Sequence, residues 1–133
     1  MLRRKFILTL FGGLTGATAL GMGVDKIQTQ SFTLYEGFVA GYQYHQGEEV
    51  EHLLVPGKEL VLQREPKNPH DTLAIAIHFA GRRIGYIPRV GNQPLAALLD
   101  NGYELRANCR EFDPEASVWD RVLVEVWMGG NLI

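Results

Sequence analysis

From Ser31 onward, short apolar runs alternate with turn signals, a texture that predicts strands. Phe32 to Tyr44, rich in aromatic and β-branched residues, reads as one long or bent strand with Gly37 and Gly41 as bulge sites. Gly47 to Gly57 is polar and then apolar, a loop with one helical turn, and Leu60 to Glu65 is a second strand. Leu73, Ile75, Ile77 and Phe79 alternate with Ala74, Ala76 and His78, predicting a strand with one large-residue face. Ala80-Gly81 turns the chain into Arg82 to Pro88, a strand that its proline confines to an edge or an end. Asn92 can then cap a helix with Pro94 in its first turn, Leu95, Leu98 and Leu99 on one face, and Asn101-Gly102 at its end. Tyr103 to Phe112 and Val118 to Met128 supply two more strands, with Leu105, Ala107 and Cys109, then Val122, Val124 and Val126, facing inward. The pattern predicts a mainly β fold with one or two short helices. Its six antiparallel strands would form a small barrel, closed or partly open.

The first two dozen residues read differently. Arg3, Arg4 and Lys5 pass directly into a stretch, Phe6 to Val24, without a charged residue. Its length suits a bilayer-spanning helix, while Gly12, Gly13, Gly16, Gly21 and Gly23 lower its helix propensity. A basic start, an apolar middle and the small residues Ala17-Thr18-Ala19 form the pattern of a secretory signal. Arg3-Arg4-Lys5-Phe6-Ile7 resembles the twin-arginine signal, with Leu2 where serine or threonine is usual, and the resemblance implies export in the folded state. Cleavage and retention as an uncleaved membrane anchor both stay open. The chain therefore divides into residues 1–24, signal peptide or membrane anchor; 25–37, linker and start of the first strand; 38–128, the domain; and 129–133, a C-terminal tail. The expected location is exported, periplasmic or extracytoplasmic, or membrane-anchored through residues 6–24.

Composition narrows the chemistry. The 133 residues have room for one domain, and 46% hydrophobic residues is ordinary for a globular one. Cys109 is the single cysteine, so the chain can form no internal disulfide and no cysteine-based zinc site. A net charge of −2 argues against a generic polyanion binder. Its distribution says more. Residues 64–89 carry Arg64, Lys67, Arg82, Arg83 and Arg89 against only Glu65 and Asp71, while residues 20–63 and 90–133 each sum to −4. A basic middle in an acidic chain can focus an anion locally; solvated strand arginines are the plainer explanation.

A catalytic constellation is hard to build. No two of His45, His52, His70 and His78 have the spacing of a helical metal pair, and no glycine-flanked nucleophile, phosphate loop or dinucleotide fingerprint is present. The reading is of a non-enzyme without cofactor or metal. Pro66-Lys67-Asn68-Pro69-His70-Asp71 is the informative stretch. Its prolines stiffen the turn, which reduces the entropy lost on ordering around a ligand. It presents an amide, an imidazole and a carboxylate between two strands. Local Asx-type hydrogen bonding by Asn68 and Asp71 is the structural alternative.

Glu65-Pro-Lys-Asn-Pro-His-Asp-Thr-Leu-Ala-Ile-Ala-Ile77, followed by Ile84-Gly-Tyr-Ile-Pro-Arg89, resembles the central signature of the HIRAN domain family. Val39-Ala-Gly-Tyr-Gln-Tyr44 is similar to that family's first strand. The resemblance implies an OB-like β-barrel that reads single-stranded DNA, notably a free 3′ end, without catalysis. Carried over by position, it implies Tyr44 as a base-stacking aromatic and Asn68 and Asp71 as polar turn residues, with Asp71 the acceptor for a terminal sugar hydroxyl. Arg89 would pair with phosphate, helped by Arg64 and Lys67. Gln43 stands where a DNA-reading member has arginine, His70 where tyrosine is common, and Tyr86 where histidine occurs; these departures weaken phosphate contact and stacking. The implied partner is single-stranded nucleic acid. Two rivals stand beside it: an exported envelope protein using the barrel for a protein or glycan partner, and a hydrolase of phosphorylated compounds, suggested only by the family's fused company.

Overall fold

The computed structural model describes residues 31–129. The signal or anchor expected at residues 1–24 lies outside them, as does most of the expected C-terminal tail. The strands are β1 (Ser31–Phe38), β2 (Glu59–Arg64), β3 (Ile75–Phe79), β4 (Arg82–Tyr86), β5 (Arg106–Phe112) and β6 (Val122–Gly129). Two short helices join them: α1 (Gly47–Val50), flanked by 3-10 turns at Tyr42–Tyr44 and Glu51–Leu53, and α2 (Arg89–Asp100). The strands form one six-stranded sheet in the order β1-β6-β5-β2-β3-β4, antiparallel at each registered pair. This is the mainly β, small-barrel fold that the residue pattern predicts.

Closure of the sheet depends on two residues just past β1. Val39 donates its N–H to the Val122 carbonyl of β6 (3.0 Å). Ala40 and Tyr86 exchange both backbone hydrogen bonds (2.8 and 2.9 Å), so the chain leaving one end of the sheet pairs with β4 at the other. Gly85 makes this approach feasible: a Cβ there would overlap Val39 Cγ1 and the Ala40 carbonyl oxygen. Inside, Leu60, Ile75, Ile77, Ile84, Val122, Val124 and Val126 are fully buried, each side chain contributing about 1.5–3 kcal/mol. Cys109 is also in this core, and burial pushes its thiol up to about 11, so it is an inert packing residue.

Several local expectations change. The first strand ends at Phe38 instead of running to Tyr44. Gly41 adopts a left-handed conformation (φ 72°), which turns the chain into a 3-10 turn where a bulge was expected. Tyr42 is thereby buried; its hydroxyl donates to Glu51 Oε1 at 2.8 Å, and its ring fills the space beside Gly47. β3 starts at Ile75, and Ala74 and Ala76 are as buried as the large residues beside them. Both faces of that strand are covered, so alternation in size is not alternation between core and solvent. The helix begins at Arg89, three residues before the expected cap. Asn92 lies inside it, buried, and Pro94 is beyond the first turn. The helix ends as expected at Asn101, with Gly102 at φ 89°. The predicted inward faces of the last two strands hold: Ala107, Cys109, Val122, Val124 and Val126 are buried, and Leu105 packs partly against them. Among the described residues, no helix is long and apolar enough to cross a membrane.

Candidate functional site

The proline-rich segment between β2 and β3 is a braced corner. Glu65 N–H bonds the Ala74 carbonyl across its base (3.0 Å). At its tip, Asn68 Oδ1 accepts from the backbone N–H of His70 (2.8 Å) and of Asp71 (3.2 Å). Asp71 Oδ1 accepts from Leu73 N–H (2.9 Å), completing a second Asx-type turn. The local hydrogen bonding open from sequence is thus present at both residues. Asp71 Oδ2 reaches further and accepts from Asn92 Nδ2 of α2 at 2.9 Å, with Arg89 Nε 3.7 Å away. The Leu73 amide, the Asn92 bond and the Arg89 charge together hold the Asp71 carboxyl below the usual carboxylate value. A carboxylate beside the first turn of α2 is also favoured by the helix dipole.

A second network lies under the corner. Glu65 Oε1 accepts from Tyr86 OH (2.7 Å) and Asn68 Nδ2 (3.0 Å), and its Oε2 accepts from Arg83 NH1 (3.0 Å). Burial pushes the Glu65 pKa upward, but these donors and the Arg83 charge outweigh it and hold the group ionised. The Tyr86 ring meets His45 edge-on, with centroids 5.4 Å apart. Burial, aided by the Arg83 charge, lowers the His45 pKa from its usual 6.5, so its imidazole is neutral at pH 7.

Between the corner, the Gly41 turn and the start of α2 runs an open cleft of about 330 Å³. Ala40, Ala74 and Ile87 supply its apolar lining; Gly41 and His45 border it from the turn. Asn68, His70, Asp71, Tyr86 and Arg89 complete it. Five of the nine residues expected from sequence therefore meet in one place. The other four lie elsewhere. Tyr44, 79% exposed, stands next to His45 in the 3-10 turn without lining the cleft. Gln43 is half-buried, and its side-chain oxygen has no hydrogen-bond partner. Lys67 borders a neighbouring depression. Arg64 is committed to structure: it makes paired bonds to Asp100 (2.8 and 3.0 Å) and a third to the Ala74 carbonyl (2.9 Å), tying β2 to α2. Arg89 is exposed, with one guanidinium nitrogen bonded to the His70 carbonyl at 2.7 Å.

Sequence reasoning missed His45 and Asn92. His45 carried a usable signal, its adjacency to Tyr44. Asn92 carried none, because its partner Asp71 is twenty-one residues away. Among the described residues no group of histidine, cysteine, aspartate or glutamate side chains could hold a metal ion.

A family model described as the HIRAN domain matches residues 32–129. The rabbit (Oryctolagus cuniculus) helicase-like transcription factor is 33% identical over 79 residues, which is 58% of this chain but 7% of the relative's length. A crystal structure of a protein from Lactobacillus plantarum superposes with a TM-score of 0.66 at 27% identity, covering 75% of this chain and 96% of that one. The HIRAN domain of human HLTF superposes with a TM-score of 0.56 at 23% identity, covering 75% of this chain and 81% of that one, a likeness of fold.

Proposed function

The chain belongs to the HIRAN domain family, and from that premise we propose that its barrel is a non-catalytic nucleic-acid-binding module receiving a single-stranded DNA end, the 3′ end, in the cleft. One observation carries this reading: Asn68, His70, Asp71, Tyr86 and Arg89, drawn from three separate elements, line a single open cleft with an apolar floor. A base needs apolar and aromatic surface, a phosphate needs a cation, and a terminal hydroxyl needs an acceptor. Ala40, Ala74 and Ile87 offer the first, with His45 and His70 as rings at its border. Arg89 offers the second. It is 71% exposed and its contact with Asp71 is loose, so a phosphate can recruit it.

Asp71 offers the third. Each of its oxygens accepts one hydrogen bond, and an ionised carboxylate has about four acceptor positions. A terminal hydroxyl can take a remaining one, whereas a terminal phosphate would be repelled. Tyr44, exposed and next in the chain to His45 at the cleft's border, is assigned the stacking role, worth about 1–3 kcal/mol per base.

Fluorescence polarisation with 3′-hydroxyl and 3′-phosphate oligonucleotides tests the proposal. The expected result is salt-dependent binding that favours the hydroxyl end, with the preference lost in Asp71→Ala and affinity lowered about tenfold in Tyr44→Ala. Absence of binding to either end at low salt would remove the reading. Phe32, Leu34 and Phe38, exposed apolar side chains on alternate positions of β1, favour a second reading in which an exported form of the barrel holds a protein partner. Oligonucleotide binding left intact by Phe32→Ser would set that reading apart from the first.

A further inference from the structure

Asn68 and Tyr86 are a wall shared by two spaces. Beyond them lies a second depression of about 540 Å³, bordered by Glu65, Pro66, Lys67, Pro69 and Arg83. Its charges are unequal. Glu65 already accepts from the three donors described above, and its negative charge is matched by Arg83 at 3.0 Å. Every arginine among the described residues is likewise paired with a carboxylate. Lys67 makes no ion pair or side-chain hydrogen bond there, and it projects from an exposed position between the two prolines. The depression therefore holds an uncompensated positive charge beside the exposed Pro66 and Pro69.

We infer that this second depression is where a bound strand continues: it takes one of the two backbone phosphodiesters nearest the strand's 3′ end, with Lys67 as its counter-charge. The inference rests on the single-strand reading of the cleft and extends it past the terminal unit. Geometry supports continuity, because a ligand leaving the cleft over Asn68 and Tyr86 enters the depression directly. Charge supports the phosphodiester. A lysine already neutralised would gain little from a phosphate, whereas an unpaired one releases the strand's counterions on contact. The braced corner supports it too, since the prolines fix the backbone that carries Lys67 before any ligand arrives.

The test uses a 3′-hydroxyl hexathymidylate in three forms: natural, and with one uncharged methylphosphonate at the last or at the penultimate linkage. Wild-type chain and Lys67→Ala are titrated with each across a range of salt. Lys67→Ala is expected to weaken natural hexamer binding several-fold and to reduce the slope of log affinity against log salt by about 0.7. One of the two methylphosphonates is expected to weaken the wild type similarly and to have no further effect in Lys67→Ala, the signature of a direct pair. Lys67→Arg restores affinity and slope. If the wild type binds while Lys67→Ala matches it in affinity and slope, or if the two losses simply add at both linkages, the inference is overturned and the cleft reading stands. Failure of the wild type to bind at low salt overturns both.

Discussion

Asp71 joins a structural role to the receptive one proposed for it. Its oxygens close a turn through Leu73 and lock the corner to α2 through Asn92, so the charged form is built into the fold. Its folded-state pKa is lowered from 3.8, and that of Asp100, bonded to Arg64, moves the same way. A depressed carboxylate stabilises the native state above its unfolded value and loses that contribution as pH falls through the folded value. Urea midpoints should therefore fall as the pH is lowered through 3.8 and below, with a shallower fall in Asp71→Asn. His45 acts in the same direction at higher pH. Its folded pKa lies below 6.5, so acidification through that value protonates the unfolded chain first and costs stability. Asn92→Ala removes the donor to Asp71 Oδ2. Its expected effects are a lower urea midpoint and weaker discrimination between 3′-hydroxyl and 3′-phosphate ends in polarisation titrations.

At the scale of elements, the corner between β2 and β3 and the start of α2 behave as one unit. Arg64–Asp100 joins β2 to the far end of α2, Asp71–Asn92 joins the corner to its first turns, and Arg89 reaches the His70 carbonyl between them. The cleft is thus positioned by a strand and a helix instead of a free loop, which keeps its geometry before a ligand binds. The opposite border depends on barrel closure at Ala40–Tyr86, which Gly85 permits. Gly85→Ala forces a Cβ into Val39 and the Ala40 carbonyl. The expected cost is about 1–3 kcal/mol, read from urea unfolding, with oligonucleotide affinity lost together with stability because His45 and Tyr86 would separate.

For the molecule as a whole, net charge and local charge point in different directions. The chain is acidic overall, yet the residues bordering the cleft and the second depression include Arg89, Arg83 and Lys67. Such a surface focuses an anion at one place while leaving bulk polyanion attraction weak. The N-terminal segment bears on where this happens. We propose that Arg3, Arg4 and residues 6–24 direct export or anchoring, which would place the folded domain in the envelope or periplasmic fraction. Arg3→Lys with Arg4→Lys should leave it in the cytoplasm, as cell fractionation and sequencing of the mature N-terminus would show.

Features that depend on short-range chemistry can be read directly from neighbouring residues. Turn residues, β-branched runs and the 2-residue alternation of β5 and β6 marked the strands, because local backbone preference and one-sided burial repeat along the chain. The corner was legible for the same reason: two prolines, an asparagine and an aspartate within six residues leave few ways to fold. Tertiary structure decided everything that joins distant positions. It turned the first strand at Gly41, covered both faces of β3, and moved Asn92 from a helix cap to a partner of Asp71. It paired Arg64 with Asp100, thirty-six residues along the chain. Composition gives each of these side chains a charge or a donor; only the folded neighbourhood decides whether that group is spent internally or left for a ligand.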